Sequence, residues 1–527
     1  MLETAIVGAG LCGLKLAHQL LTQGSAFAVF EARGRLGGRI LSVPSEAAGM
    51  ALDLGPSWFW PDTQPRIARL VEDLGLRSFP QHDTGEVLNL TDHDKPAETL
   101  QRPDLNGGAR RIEGGMGALV AALSRDLPET AMHFDHVLTG VVDLGDHVAL
   151  SFRCGSEVTE VLARRVVLAM PPRLVEERVR FEPPLDGQLQ EAMRETYTWM
   201  ADQAKAVIGY ERAFWRAAGQ SGNAFVHHEH VVLGEIYDAC DASGDKAALG
   251  AFFALSAEQR AAFRGGMPML VSSQLVQVFG PDADSSEQHI QDWADELYTC
   301  SRRDRTPPDN HPEYGHPALR RPQWGGKLLF GGSETASYGG GYLEGALEAA
   351  ARIQRTLIQS AAFARADRVL GDAPNAASLS SFRTWVNAQR SDVFERYRRH
   401  LNQKLASQLR EQITQRAVLG TMEQIYSEAL AVIEDLPFEP DQEANSELTH
   451  QLLSPFVGFN KALLDQVLAF NRTSCALSNF PDEHVVSPEY LETIARDLAA
   501  AWREFAFGVD AQLGSRAPAV NDIASAA

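Results

Sequence analysis

Residues 6 to 20 read IVGAGLCGLKLAHQL, and they place Gly8, Gly10 and Gly13 in G-x-G-x-x-G spacing directly after the apolar run Ala5-Ile6-Val7. Such a run predicts a short, buried parallel strand. Beyond Gly13, Leu14, Leu16, Ala17, Leu20 and Leu21 recur at nearly helical spacing, and a second apolar run, Phe27-Ala28-Val29-Phe30, leads into Glu31. The order is strand, tight glycine turn, helix, strand, acid, which is the order of a βαβ unit in a parallel sheet. Each part has a mechanical reason. Gly8 permits the sharp turn, Gly10 lets the backbone approach a pyrophosphate, and Gly13 lets helix and sheet pack closely. The helix N-terminus, at Leu11 and Cys12, supplies free N–H groups and a positive dipole end. Glu31, eighteen residues beyond Gly13, can accept two hydrogen bonds from a ribose diol. A glycine turn by itself is equally a structural bend; in this context it predicts a dinucleotide site.

The chain around this unit is long. Its 527 residues exceed one hydrophobic core and predict two or three domains. A formal net charge of −21 argues against non-specific nucleic-acid binding, which runs on Lys and Arg neutralising phosphates, and disfavours docking on an anionic membrane surface. Net acidity steers cationic substrates or simply keeps the protein soluble. Cys12, Cys154, Cys240, Cys300 and Cys475 are scattered and odd in number, a pattern that suits a reducing compartment and offers no C-x-x-C metal pair. Neither a signal peptide nor a membrane-spanning stretch is legible, so a cytoplasmic location is expected.

The next stretch, EARGRLGGRILS at 31 to 42, adds Ala32, Arg33 and then Gly37-Gly38-Arg39. A nicotinamide site does not need a second glycine pair and an arginine straight after its ribose acid. The sequence resembles the flavin amine oxidase family, whose N-terminal signature runs from G-x-G-x-x-G through E-A-R-x-x-x-G-G-R. Further stretches match in order. LDLGPSWFWPDTQPRI at 52 to 67, with Gly55, Pro56 and Ser57, is similar to the segment that passes near the flavin ring. RRIEGGMGALVAALSRDL at 110 to 127 resembles a glycine-methionine turn entering a helix. HFDHVLTGVV at 133 to 142 resembles the strand whose valine, here Val137, meets the adenine. ARRVVLAMPPRLV at 163 to 175 resembles a strand ending in a double proline. LLFGGSETASYGGGYLEGALEAAARI at 328 to 353 resembles the C-terminal flavin motif, with Gly332 and Glu334 in its first part and Gly341, Tyr342 and Leu343 at its helix start. These blocks cover about the first two-thirds of the chain.

The resemblance implies FAD as cofactor and an α/β fold. It implies a Rossmann-type FAD-binding domain from 1–79, 110–175 and 321–360, and an α+β substrate domain from 80–109 and 176–320. It also implies the reaction: a hydride equivalent leaves the carbon beside an amine nitrogen for flavin N5, the imine hydrolyses, and O2 reoxidises the flavin to give hydrogen peroxide. The substrate would be a small-molecule amine or amino acid. Tyr342 stands where the family carries one wall of an aromatic cage; packing of the helix start is the alternative. Lys205, at the head of KAVIGYERAFW, matches a lysine that holds a water at N5; an exposed strand lysine is the alternative. In an extended segment Lys205, Val207 and Gly209 would share one face, and Trp58 and Trp60 would share another, lining the pocket or packing a core. The animal monoamine oxidases carry a Cys-Tyr pair as second wall. The corresponding positions here are Arg302 and Arg303, and Cys300 is two residues early, so non-covalent FAD is expected. A guanidinium here, of Arg302 or Arg303, would hold a substrate carboxylate; a surface arginine pair is the alternative. His227, His228 and His230 suggest exposed or pocket histidines rather than a metal site, and no metal is expected.

After residue 360 the family pattern stops. Residues 361–381 read as a linker, 382–510 as an additional all-α C-terminal region with apolar residues at helical spacing, and 511–527 as a disordered tail. The helices are expected to cap the FAD core, to form a homodimer contact or to meet a partner protein. Two other readings stand beside amine oxidation: a flavoprotein of the same superfamily acting on C–C bonds, and a flavin-binding partner protein whose chemistry is lost.

Overall fold

In the computed structural model, Leu2–Val7 is a strand at the middle of a parallel array. It is flanked in parallel by Phe27–Phe30 and by the C-terminal half of Glu157–Leu168. Met132–His133 and Leu328–Phe330 extend the array outward on either side, also in parallel. Parallel strands buried on both faces are apolar at successive positions, and the two faces here can be read off the alternation. Ile6, Val29, Val167 and Leu329 enter the core under helix Leu11–Thr22 and the helix that begins at Leu343. Ala5, Val7, Phe30, Leu168 and Phe330 enter the opposite core. That second core is covered by the antiparallel strands Val137–Asp143 and Val148–Cys154, joined edge to edge with Glu157–Leu168.

Two short elements extend this sheet beyond the boundary expected at residue 175. Arg180–Glu182 pairs in parallel with Val137–Asp143. Helix Gly187–Glu195 sends Leu189, Ala192 and Met193 into the same core. Residues 180–195, placed by sequence with 176–320, therefore fold with the first sheet. Their apolar positions are too few to announce which sheet they serve.

A second sheet of seven strands runs in the order Gln288–Asp292, Ala204–Tyr210, Ala247–Phe253, Leu233–Asp238, Gln220–Val226, Glu86–Leu90, Glu98–Leu100. Ala204, Ala206, Ile208 and Tyr210 face helix Met267–Phe279. The other face, with Val207, Ala248 and Tyr237, packs on the hairpin Ser42–Ser45/Met50–Asp53. This is the face that carries Lys205.

The described residues are 1–100, 105–284, 287–308, 312–370, 375–406, 412–438, 445–472, 474, 477 and 480–516. The chain divides into two compact units, Met1–Ser360 and Ala361–Ala527. The second unit is helical: Ala376–Ala406, Ile413–Asp435, Asn445–Leu453, Phe459–Asn471, Pro481–His484 and Pro488–Arg516. The expected linker at 361–381 is a correction. The helix from Leu343 continues to Leu370, and the next begins at Ala376. Ala361-Ala362 and the Ala-Arg-Ala-Asp-Arg run after them are mostly good helix formers, which outweighs their small, polar character. The tail expected at 511–527 is helical through Arg516, and the rest of it, like Cys475, lies outside the described residues. Among the described residues no helix is long and apolar enough to cross a membrane.

Candidate active site

A cleft of about 2010 Å3, its mouth included, opens beside the C-terminal end of Leu2–Val7 and reaches to the second sheet. Gly8, Gly10, Leu11, Cys12, Glu31, Ala32, Arg33, Gly38, Arg39, Gly55, Pro56, Ser57, Val137, Gly332, Glu334, Gly341, Tyr342 and Leu343 line it, together with Trp58 and Lys205. Gly13 does not. Its role is packing: a Cβ there would lie 2.0 Å from the Gly8 carbonyl oxygen. Gly8 has φ +103°, and a Cβ on it would lie 2.5 Å from the Ala169 carbonyl oxygen. Gly10 differs from both. Its φ is −74°, which any residue adopts, and a Cβ on it would meet nothing within 4 Å. The protein itself has no use for glycine at this position; a group seated in the cleft against the helix N-terminus does. No side chain caps that helix end, so its first N–H groups and positive dipole end face the cleft.

Glu31 is buried and accepts the Ala9 N–H at 2.8 Å and the Arg33 N–H at 3.0 Å. Arg33 in turn donates to Glu296 at 2.7 Å and to Thr299 at 2.8 Å. Phe30 and His136 stand beside Val137 in the wall, their rings 5.7 Å apart. Further along, Arg39 donates to Glu334, to the Ser333 hydroxyl at 2.9 Å and to the Trp199 carbonyl at 3.0 Å. The fully buried Glu334 also accepts the Ser333 hydroxyl at 2.8 Å and the Trp199 N–H at 3.3 Å. The Cys12 thiol accepts the Gly332 N–H at 3.3 Å. Burial pushes it up to about 11, against the pull of that N–H, so it is an inert wall group.

The far end of the cleft is aromatic. Trp58 and Trp60 both line it, their rings 6.4 Å apart, while Phe59 between them is buried in the core. This is the alternation of an extended segment. Phe252 lies 6.2 Å from Trp58, and the Trp58 indole N–H donates to Gln81 at 2.7 Å. Lys205 is buried at 2% exposure, and its amine donates to the Gly55 carbonyl at 2.7 Å and the Ser57 hydroxyl at 2.6 Å. Burial lowers it to about 7, with the Asp53 carboxylate opposing and Arg111 adding to the fall.

Tyr342 is 38% exposed and faces Trp199, ring to ring at 5.6 Å. The second wall is not where sequence counting put it. Arg303 is exposed and does not line the cleft, and the Arg302 side chain is 93% exposed beside Glu177. The cause is Asp304, which is fully buried and anchors the turn by accepting from Arg173 and the Thr198 N–H, each at 2.9 Å. Its arginine neighbours are thereby left in water. Tyr298 and Thr299 line the cleft instead, and the buried Cys300 thiol donates to the Ser301 carbonyl. The sequence reading also passed over Trp199, Phe252 and Trp293, which line the cleft from segments without a motif. His228 and His230 stand 5.6 and 5.5 Å from His93. Among the described residues no three His, Cys, Asp or Glu side chains could hold a metal.

A cleft with a glycine turn, an open helix N-terminus, a ribose-type acid and a long apolar wall fits a flavin dinucleotide. Comparison with known proteins agrees. The model of the flavin containing amine oxidoreductases matches residues 11–102 and 89–354, and the chain belongs to that family. It is an FAD-dependent enzyme of amine oxidation. Amine oxidase [flavin-containing] B of Canis lupus familiaris is 24% identical over 461 residues, covering 68% of this chain and 86% of the relative. Putrescine oxidase of Kocuria rosea is 25% identical, covering 49% and 76%. The fold is shared with solved structures. Wild-type putrescine oxidase bound to putrescine superposes with a TM-score of 0.53 at 21% identity, covering 68% of this chain and 99% of that one. Cyclohexylamine oxidase from Brevibacterium oxydans IH-35A gives 0.55 at 19%, covering 68% and 99%.

Proposed function

We propose that the enzyme oxidises the C–N bond of an amine with one nitrogen and an apolar body, with O2 as the final acceptor. The observation that carries the substrate class is the charge of the cleft wall. Its two carboxylates among the described residues, Glu31 and Glu334, are both engaged, Glu334 by Arg39 and Glu31 by backbone N–H groups and Arg33. Neither is free for the distal ammonium of a diamine. Arg303, the guanidinium expected to hold an amino-acid carboxylate, is out in solvent. What remains at the aromatic end is Trp58, Trp60, Phe252 and Tyr342, a surface that gains by covering an apolar group.

In this reading the first sheet and its helices hold FAD, non-covalently, and the second sheet builds the substrate side. Glu31 would take the ribose, the N–H groups at Leu11 and Cys12 would meet the pyrophosphate, and Val137 would pack the adenine. Gly55–Ser57 and Gly341–Leu343, which line the same cleft, would hold its ring end. When bound, FAD supplies the acceptor for the hydride equivalent from the carbon beside nitrogen. The chain's own residues do the rest. The aromatic wall strips water from the amine and so favours its reactive neutral form. Lys205 would present its amine as a donor toward the bound flavin, where it could stabilise negative charge. The resulting imine hydrolyses in water.

The test is an anaerobic stopped-flow panel on the purified holoenzyme, following flavin absorbance. Benzylamine- and cyclohexylamine-type substrates should bleach it, with putrescine and amino acids at least a hundredfold slower. Bleaching by a diamine or an amino acid at equal rate would refute the substrate class. FAD released intact on denaturation would bear out the non-covalent reading, and hydrogen peroxide on admitting air would bear out O2.

A further inference from the structure

Lys205 does not end at Ser57. The Ser57 hydroxyl also lies 3.2 Å from the phenol oxygen of Tyr237. Tyr237 is buried on strand Leu233–Asp238 and faces the same way as Lys205: Lys205 pairs with Phe252, Val207 with Gly250, and Gly250 with Tyr237. Gly250 makes the contact geometrically available. A Cβ there would lie 2.2 Å from the Tyr237 ring and 2.4 Å from its hydroxyl, so the phenol crosses the strand only because position 250 is bare. The Lys205 amine stands 5.3 Å from the centre of the Tyr237 ring and 5.5 Å from that of Phe252.

We propose that Ser57 and Tyr237 are positioning residues for Lys205: a two-hydroxyl chain that holds its amine at the cleft in both protonation states. The proposal rests on the functional reading only in placing Lys205 against the flavin. With the ammonium present, Lys205 donates to Gly55 and Ser57, and the Ser57 proton turns to Tyr237. With the neutral amine, the chain reverses: Tyr237 donates to Ser57, Ser57 donates to the lysine lone pair, and an N–H still reaches Gly55. Only hydroxyl rotations are needed, and the single proton gained or lost passes through the cleft that Lys205 lines. A carboxylate partner would lock the ammonium; a hydroxyl chain does not.

The other charged and titratable groups around the amine are accounted for. Asp53, from the hairpin, accepts from Ser42 at 2.5 Å and from the Met116 N–H. Arg111 donates to the Cys240 carbonyl. His289, paired with Val207 from the neighbouring strand, bonds Glu287 at 3.0 Å. Glu235 lies two residues along from Tyr237 on its strand. None of these bonds the Lys205 amine, so among the described residues the hydroxyl chain is its polar contact besides Gly55.

The experiment is a pH titration of the holoenzyme with selectively 13C-labelled lysine, read by NMR, beside the pH profile of flavin reoxidation. Tyr237→Phe deletes one oxygen from a buried ring and keeps its packing. It should lower the Lys205 titration by about half a pH unit, and Ser57→Ala by about one. Ser57→Thr should restore it, and the reoxidation profile should move in step. An unchanged Lys205 titration in Tyr237→Phe and Ser57→Ala, with circular dichroism intact, would overturn the chain. If Ser57→Ala loses its fold or its flavin, Tyr237→Phe against Ser57→Thr carries the decision. An NMR shift with no change in reoxidation sustains the chain and removes Lys205 from the flavin, which is a failure of the functional reading alone.

Discussion

Gly10 separates what the fold requires from what a ligand requires. At Gly8 both φ and the Ala169 carbonyl exclude a side chain, so Gly8→Ala strains the backbone and should cost a few kcal/mol whether or not flavin is present. At Gly10 neither objection exists. Gly10→Ala should leave the stability of the flavin-free protein within about 1 kcal/mol, the range of an exchange at a helix N-cap. It should nonetheless weaken FAD at least tenfold, because the methyl occupies space meant for phosphate. Urea melts of the flavin-free protein and flavin titration measure the two quantities separately; equal stability loss in both variants would sink the distinction. The spacing assigned each glycine its role, but only the folded chain shows that a Cβ at Gly8 strikes the protein itself while one at Gly10 meets nothing. Lys205 was marked by its match to the family's lysine and Trp58 by its alternation with Trp60, and both line the cleft. Trp199 and Tyr237 were not legible, because what places them is Glu334 and Gly250, remote in sequence. Arg303 misled for the same reason: its direction is set by Asp304 reaching Arg173 and Thr198.

At the scale of elements, Glu344 shows how a motif residue can serve architecture. It is fully buried, and its carboxylate accepts the Arg66 N–H at 2.9 Å, the Ile67 N–H at 3.1 Å and the Arg66 guanidinium at 2.9 Å. Helix Pro65–Asp73 has no side-chain cap of its own, so an acid from 277 residues away satisfies its first N–H groups and its dipole. This ties the segment after Trp60 to the start of the helix that follows Tyr342. Glu344→Ala should therefore cost roughly 3 kcal/mol in urea unfolding, the order of a broken buried pair. Glu344→Gln, which keeps one acceptor, should cost less than half of that. Equal loss in both would mean that charge, not the cap, matters. The βαβ unit was readable because strand, turn, helix and acid lie within a few turns of each other. The second sheet was not, since Gln220–Val226 pairs in parallel with Glu86–Leu90 across more than a hundred residues, and no local period encodes such a pairing.

Over the whole molecule, the question is whether the helical unit depends on the flavin unit. Its core argues that it does not. Among the described residues, the buried apolar side chains of this unit, from Leu379 to Leu513, form one cluster. Its polar interior closes on itself as well. The buried Glu483 accepts the N–H groups of Ile413 and Thr414, capping helix Ile413–Asp435. The fully buried Asn471 accepts the Tyr397 hydroxyl and donates to Thr414. These bonds join three of the long helices and a short one, so among the described residues the unit has both an apolar core and a hydrogen-bonded polar interior, the conditions for folding alone. A chain of residues 375–516 should give a helical circular dichroism spectrum, a single cooperative melt and no affinity for FAD. Adding FAD to the full protein should raise the transition of the first unit, by about 2.7 kcal/mol at a hundredfold excess over Kd, and leave that of the helical unit in place. A fragment that melts without cooperativity and binds hydrophobic dyes would show instead that this core is completed only within the full chain. A single FAD-dependent transition for both units would show that flavin binding is felt by the helical unit.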